Sequence, residues 1–189
     1  QAIVNLSELN AAGPEVLFAL HSLLDRHKKL ELPNGEVLTL REDTYIFGTM
    51  NPTSLRDYAG TQSLNKAFAD RWVIWDKPFP NKDQLNAIFE KRYPNLQNEY
   101  TDLIIKLATE VNNSFISEDI SINIETPMSL RTIVERIPIG LDVYSESKDP
   151  LKDTWDNFVL PHVNKEDLDH YKTLWNTIVR KGPSVKPKL

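Results

Sequence analysis

Two short apolar segments, each followed by polar residues, constrain the fold of this chain most. Residues 2–6 (AIVNL) lead into Ser7 and Glu8, and residues 44–50 (TYIFGTM) lead into Asn51. Runs of this length and composition are typical of buried strands. The first is predicted to be a parallel strand whose carboxyl end delivers polar groups to a site, and the second is predicted to be another strand of the same core.

The segment between these strands has its own local signals. Pro14 can occupy the first turn of a helix, and apolar residues at helical spacing extend that helix to about residue 27. Residues 29–41 alternate around Asn34 and Gly35, a pair that favours a two-residue type I′ turn. We therefore expect a helix followed by a β-hairpin.

Beyond the second strand the pattern changes gradually from α/β to mainly α. Ser63 can cap a short helix that reaches residue 70, and residues 72–75 (WVIW) are predicted to form a third strand. The prolines of residues 77–80 predict a domain boundary at this point, and residues 81–189 show helical periodicity.

Composition excludes several classes of protein. The 189 residues are 40% hydrophobic, contain no cysteine and carry a formal net charge of −5. A core can form, whereas disulfides, thiolate metal sites and a general attraction to nucleic acid are not expected. No apolar run approaches the roughly 18 residues of a membrane span, so a cytoplasmic protein is predicted.

The end of the first strand offers chemistry suited to nucleotide hydrolysis. A carboxylate such as that of Glu8 can orient an attacking water, while a neighbouring polar group such as Ser7 reaches magnesium. A single glutamate at a strand end is also commonly solvated, or it caps a helix. The feature alone leaves both interpretations open.

A family resemblance adds specificity. Residues 3–10 (IVNLSELN) resemble the Walker B sequence of AAA+ ATPases of the MoxR and dynein-related kind, with Glu8 and Asn10 matching and Ser7 standing where an aspartate is usual. Residues 13–20 (GPEVLFAL) resemble the helix that follows in these families, and residues 29–41 lie where they carry a hairpin.

Further motifs follow in the family's order and imply roles for three residues. Asn51, in TMNP, resembles the sensor 1 asparagine that contacts the attacking water or the γ-phosphate. Arg71 resembles the arginine finger offered to a neighbouring subunit, and Arg131, in PMSLR, resembles the sensor 2 arginine of a lid helix. The alternatives are an Asx-Pro turn at Asn51, ion pairs of Arg71 with Asp70 or Asp76, and a surface arginine at 131.

The resemblance implies an α/β P-loop NTPase core in residues 1–80 and a helical lid domain in residues 81–189. It also implies ATP and Mg²⁺ as cofactors, with Glu8 as the catalytic base and Ser7 as a weak magnesium position. The implied assembly is a ring, hexameric by analogy, that remodels an unidentified protein client. None of the six glycines lies in a phosphate-binding loop, so the chain is expected to be part of a longer polypeptide.

Two other functions stay open at this stage. The serine at position 7 weakens magnesium binding and is compatible with a non-hydrolysing, AAA+-like interaction subunit. The hairpin alone suggests a nucleic-acid motor of the same fold, which the acidic net charge makes the least favoured of the three.

Overall fold

A computed structural model describes residues 1–51, 63–117, 119, 122, 124–179 and 182–189. The chain divides into two compact units, Gln1–Asp76 and Lys77–Leu189. Each unit is described by itself below.

The first unit is built on a parallel pair of strands. β1 (Ala2–Leu6) pairs with β4 (Thr44–Gly48) in a register that places Leu6 beside Gly48. Parallel neighbours require a crossover, and here it contains α1 (Pro14–Leu24), which begins with Pro14 at its first position as expected. Both strands predicted from the sequence, and the helix between them, are confirmed. The prediction that the strands are buried is wrong within this unit, since the side chains of Ile3, Tyr45 and Phe47 are 71%, 54% and 55% exposed.

A small apolar core lies beneath the carboxyl end of this strand pair. Leu9, Leu17 and Phe68 are buried and come from three different segments. Partly buried apolar residues pack around them: Leu6, Ala12, Leu20, Leu24, Leu64 and Trp72. The core therefore joins β1, α1 and the segment around Phe68 into one body.

The hairpin is present, but its turn differs from the prediction. Its strands are β2 (Lys29–Glu31) and β3 (Val37–Thr39), paired antiparallel. The Gly35 N–H donates to the Leu32 carbonyl at 2.9 Å, and within the turn only Gly35 has a positive φ, of 84°. The type I′ prediction is wrong because Pro33 holds φ negative at the first turn position; a type I turn followed by a glycine bulge results.

The helix predicted to start at Ser63 starts later. α2 spans Lys66–Ala69, and Asn65 is its N-cap, accepting a hydrogen bond from the Phe68 N–H at 2.8 Å. Asparagine and serine are equally good N-caps, so residue type does not determine which of Ser63 and Asn65 caps the helix. Their spacing from the buried Phe68 does. Asn65 lies three residues before Phe68, which is the spacing of a cap to its N3 position.

The prediction of a strand at residues 72–75 is wrong. Residues 73–80 have no regular secondary structure, and the side chains of Val73 and Trp75 are 99% and 91% exposed. Apolar and aromatic residues favour strands only where a neighbouring strand supplies hydrogen bonds. No strand lies beside this segment in the part of the first unit that the structure describes.

The second unit is helical, as predicted. Its longer helices are α3 (Lys82–Arg92), α4 (Asn98–Ile116) and α7 (Leu168–Ile178). Shorter elements lie between them: a π-helical turn (Thr132–Arg136) leading into α5 (Ile137–Val143), then α6 (Pro150–Thr154), a second π-helical turn (Trp155–Val159) and two 3-10 turns (Leu160–His162 and Lys165–Asp167). No helix among the described residues is long and apolar enough to cross a membrane.

Aromatic side chains form much of the second unit's core. Trp155 lies between Tyr171 and Trp175, with ring centroids 5.8 and 5.1 Å away. Tyr100 of α4 is fully buried, and its hydroxyl donates a hydrogen bond to the Val185 carbonyl at 2.8 Å. This bond ties the C-terminal residues to the longest helix of the unit.

Tyr100 predicts an alkaline limit to the stability of the second unit. Burial, with a smaller contribution from Asp149 and Glu99, raises the pKa of Tyr100 to about 12. Its stabilising contribution is therefore complete below the unfolded pKa of about 10 and is lost as the pH rises from there through the folded pKa. In thermal unfolding followed by circular dichroism, Tyr100→Phe should show a smaller loss of melting temperature above pH 10 than the native chain. Equal alkaline losses would contradict this assignment.

Candidate functional site

The carboxyl ends of β1 and β4 stay joined beyond the strands themselves. The Thr49 N–H donates to the Leu6 carbonyl at 2.9 Å, and the Leu9 N–H donates to the Thr49 carbonyl at 2.8 Å. The Glu8 N–H also lies 3.4 Å from the Thr49 hydroxyl oxygen. These bonds hold Glu8 and the segment that leads to Asn51 at one edge of the strand pair.

Glu8 lies at a sharp change of chain direction. Its φ of 54° and ψ of 46° are left-handed, and it is the residue immediately before the 3-10 turn Leu9–Ala11. Left-handed geometry is unfavourable for a residue with a β-carbon, and such strain concentrates at functional sites. The Glu8 side chain is exposed, and its carboxylate has no hydrogen-bond or ion-pair partner among the described residues.

Asn10 connects the turn after β1 to Asn51. Its side-chain amide donates to the Asn51 carbonyl at 2.9 Å and accepts from the Asn51 N–H at 3.3 Å. Asn10 is fully buried, whereas Asn51 is exposed. Both main-chain polar groups of Asn51 are therefore used, and its own side-chain amide stays free of partners within the described residues.

Ser7 stands beside Glu8 but is already engaged. Its hydroxyl oxygen accepts a hydrogen bond from the Asn5 side-chain amide at 3.3 Å. It is exposed and neutral, and a hydroxyl is a weaker magnesium ligand than a carboxylate.

The donor set suits a magnesium ion shared with a nucleotide better than one bound by protein alone. No group of three or more acidic or histidine side chains able to hold a metal occurs among the described residues. Mg²⁺ commonly takes one or two protein oxygens and completes its shell with phosphate and water. Glu8 and Ser7 fit the protein side of such a shell, and the described residues offer no phosphate-binding loop to complete it.

Arg71 is held within its own unit. Its Nε donates to Asp25 at 2.7 Å, just past the end of α1, and its Nη1 donates to the Ala67 carbonyl. Hydrogen bonding to Arg71 is the largest cause of a lowered pKa at Asp25. The partner is thus neither Asp70 nor Asp76, the two candidates closest in sequence.

Trp72, which follows Arg71, packs against the end of β4. A β-carbon at Gly48 would lie 3.2 Å from the Trp72 ring and 3.2 Å from the Leu9 side chain. The glycine therefore lets the indole lie close to the strand. Because Trp72 packs on the Gly48 end of the sheet, the preceding residue, Arg71, is held near that end as well.

Arg131 lies in the second unit, in the first turn of a helix. Ser129 caps this turn by accepting the Thr132 N–H at 3.1 Å. Arg131 is exposed and has no ion-pair partner among the described residues. The residues preceding it are held firmly: the Asn112 amide accepts from the Met128 N–H at 2.8 Å and donates to the Met128 carbonyl at 3.1 Å.

A buried carboxylate fixes the same segment one turn earlier. Asp167 is 4% exposed and accepts the N–H groups of Glu125 and Thr126 at 3.0 and 2.7 Å. The Tyr171 hydroxyl donates to the Thr126 carbonyl at 2.8 Å. The start of the Arg131 helix is therefore anchored by side chains from α4 and from around the start of α7.

Comparison with known proteins identifies the first unit. A family model described as AAA domain, dynein-related subfamily, matches residues 1–72. The first unit of this chain belongs to the dynein-related AAA family. The expected α/β fold class is confirmed with it, since this AAA segment carries the parallel strand pair and is followed by a helical region.

Individual relatives cover part of the chain and only part of their own length. The Bacillus subtilis protein YojN is 29% identical over 119 residues, which is 60% of this chain and 38% of that protein. Dictyostelium discoideum midasin is 38% identical over 90 residues, or 47% of this chain and 2% of midasin. The aerobic cobaltochelatase subunit CobS of Sinorhizobium is 27% identical over 137 residues, or 67% of this chain and 40% of CobS.

The structure brings together some of the predicted site residues and adds others. Ser7, Glu8 and Asn51 lie at the same edge of the AAA strand pair, while Arg71 is bound to Asp25 beside α1. Asn10 matched the family motif, but its bonds to Asn51 were not foreseen. Residues separated by 41 positions in sequence carry no local signal of that contact.

The left-handed backbone at Glu8 predicts that glycine is tolerated better than alanine at this position. A left-handed residue with a β-carbon costs roughly 1–2 kcal/mol, and glycine's extra unfolded-state freedom offsets part of the relief. Glu8→Gly should therefore be more stable than Glu8→Ala by about 0.5–1 kcal/mol. Denaturant unfolding followed by NMR signals of the first unit measures this difference. Equal stability of the two variants would show that Glu8 is not strained.

Proposed function

We propose that this chain supplies the Walker B, sensor 1 and arginine-finger part of an AAA+ ATPase, together with a lid domain. The observation that carries the proposal is the joining of Glu8 and Asn51 at one edge of the parallel strand pair. A carboxylate and an amide that follow neighbouring strands at one sheet edge suit the orientation of a water that attacks a phosphoryl group. Membership of the first unit in the dynein-related AAA family supports the same reading.

In this proposal each residue has one task. The Glu8 carboxylate accepts a proton from the attacking water, and the Asn51 side-chain amide orients that water or contacts the γ-phosphate. Bound ATP with Mg²⁺ supplies the phosphoryl group and its charge neutralisation, and Ser7 offers one weak magnesium contact. A phosphate-binding loop, which these 189 residues do not contain, would hold the nucleotide, and the exposed Arg131 is proposed as its sensor 2 arginine.

Arg71 is proposed to act in a neighbouring subunit of a ring, by analogy a hexamer. Its planar guanidinium suits the spread charge of a phosphoryl transition state. The bond to Asp25 does not prevent this, since an exposed ion pair contributes only about 0–1 kcal/mol and Asp25 is exposed. The pair would hold the arginine in place until a neighbouring nucleotide replaces the carboxylate.

The wider role proposed is that of a cytoplasmic machine that uses ATP hydrolysis to remodel or assemble a protein client. Midasin and the cobaltochelatase subunit CobS each match this chain over only part of their own length, 2% and 40%, which supports a role for this segment within a larger protein. The net charge of −5 makes a nucleic-acid client less favoured than a protein.

A non-hydrolysing AAA+ subunit is the second candidate, and Ser7 favours it. At the Walker B position the chain has a neutral hydroxyl that already accepts a bond from Asn5. Loss of the usual negative charge weakens magnesium binding beside Glu8. In that case the fold would serve assembly or nucleotide sensing.

Turnover by the natural polypeptide that contains this chain separates the two candidates. If Glu8 is the base, Glu8→Gln should lower kcat by about 100-fold or more, because general base catalysis contributes on that order. Glu42→Gln removes the same charge from an exposed position in the same unit and should leave kcat unchanged. If the native protein hydrolyses ATP no faster than Glu8→Gln does, and Ser7→Asp hydrolyses it much faster, the chain belongs to a non-hydrolysing subunit.

The role of Arg71 is tested by comparison with its partner. Arg71→Ala should abolish turnover while ATP binding is retained, whereas Asp25→Asn should keep turnover, because it frees the arginine without removing it. Steady-state hydrolysis and nucleotide binding by fluorescence titration measure both effects. Equal losses in the two variants would mean that the ion pair matters for the fold and that Arg71 is no finger.

A further inference from the structure

Both main-chain polar groups of Asn51, a predicted catalytic residue, are bonded by the side chain of a single other residue. Its N–H and carbonyl are both bonded to the Asn10 amide, at 3.3 and 2.9 Å. Its own amide stays exposed and without partners among the described residues. The main chain is thus fixed while the functional group is left free.

The residue type at position 10 is restricted by this geometry. A main-chain unit offers one donor and one acceptor, and a carboxamide offers the complementary acceptor and donor from a single side chain. Aspartate could only accept, and serine is too short to reach both groups. Full burial of Asn10 strengthens the requirement, because an unpaired buried amide is unfavourable.

The position of Asn10 links it to Glu8 as well. It lies in the 3-10 turn Leu9–Ala11, which starts directly after the left-handed Glu8. A displacement of this turn moves the carboxylate, and through the amide it moves Asn51 too. The two polar groups proposed to orient water are therefore coupled by a short, buried connection.

We infer that Asn10 is a positioning residue that sets the distance between the Glu8 carboxylate and the Asn51 side chain. The inference rests on the proposed function of Glu8 and Asn51, and Asn10 itself touches neither water nor nucleotide in it. Displacement of a positioned group by about 1 Å can lower a rate by about 100-fold. Asn10 therefore acts on kcat rather than on nucleotide affinity.

The first test is made on the 189-residue chain without nucleotide. Amide hydrogen exchange by NMR should show the Asn51 N–H exchanging at least about tenfold faster in Asn10→Ala than in the native chain. Asn10→Asp keeps the acceptor for the Asn51 N–H but loses the donor to the Asn51 carbonyl, so it should restore only part of the protection. Asn112→Ala is the matched control, since it removes the same pair of bonds at Met128 and should leave Asn51 unchanged. Unaltered Asn51 exchange in Asn10→Ala would overturn the inference.

The second test uses hydrolysis by the natural polypeptide. Asn10→Ala should lower kcat by about 10-fold to 100-fold while KM for ATP changes less than about threefold, and Asn10→Asp should recover part of the loss. Asn176→Ala, at an exposed position of α7, should behave as the native protein. An unchanged kcat in Asn10→Ala, or a loss equal in Asn10→Asp and in Asn10→Ala, would overturn a positioning role.

The two tests also separate this inference from the proposed function. If the native polypeptide shows no Glu8-dependent turnover, the catalytic assignment fails, and the positioning role for hydrolysis fails with it even where the exchange result stands. If turnover depends on Glu8 but not on Asn10, the proposed function stands and only the inference about Asn10 is wrong.

Discussion

The parallel pairing of β1 with β4 is the interaction on which the site depends. Neither strand has a polar site alone, because Glu8 and Asn51 follow strands that are separated by a helix and a hairpin. Pairing in register brings Leu6 beside Gly48 and so sets the starting points of both polar segments. The bonds through Thr49 and Asn10 then carry the alignment three residues past the last paired position. The geometry of the site is thus a consequence of strand register.

Local patterns predicted most of the elements, because each depends on neighbours in sequence. The strand pair, α1, the hairpin and the helical second unit follow from periodicity, capping and turn residues. Predictions from local patterns were wrong where the structure depends on residues outside the pattern. The segment at residues 72–75 has strand-forming residues but no described strand beside it, and Pro33 outweighed the Asn-Gly pair that favoured a type I′ turn.

The same distinction applies to the candidate site. The identity of Glu8, Asn51, Arg71 and Arg131 as candidates came from motifs read along the chain. Their present partners did not, since Arg71 bonds to Asp25, 46 positions away. A motif specifies which residue type performs a task, whereas the surrounding fold decides what that residue contacts before the task begins. Burial of a polar side chain is the structural signal that sequence lacks, as Asn10 shows.

Both units use a buried asparagine amide to fix the backbone before a candidate functional residue. Asn10 holds Asn51 itself, and Asn112 holds Met128, three positions before Arg131. The amide imitates a strand neighbour, so it orders an irregular segment without adding a strand. An amide that satisfies one donor and one acceptor together keeps such a segment in place while its functional side chain stays exposed, and in the first unit the buried Asn10 does so two residues after the left-handed Glu8.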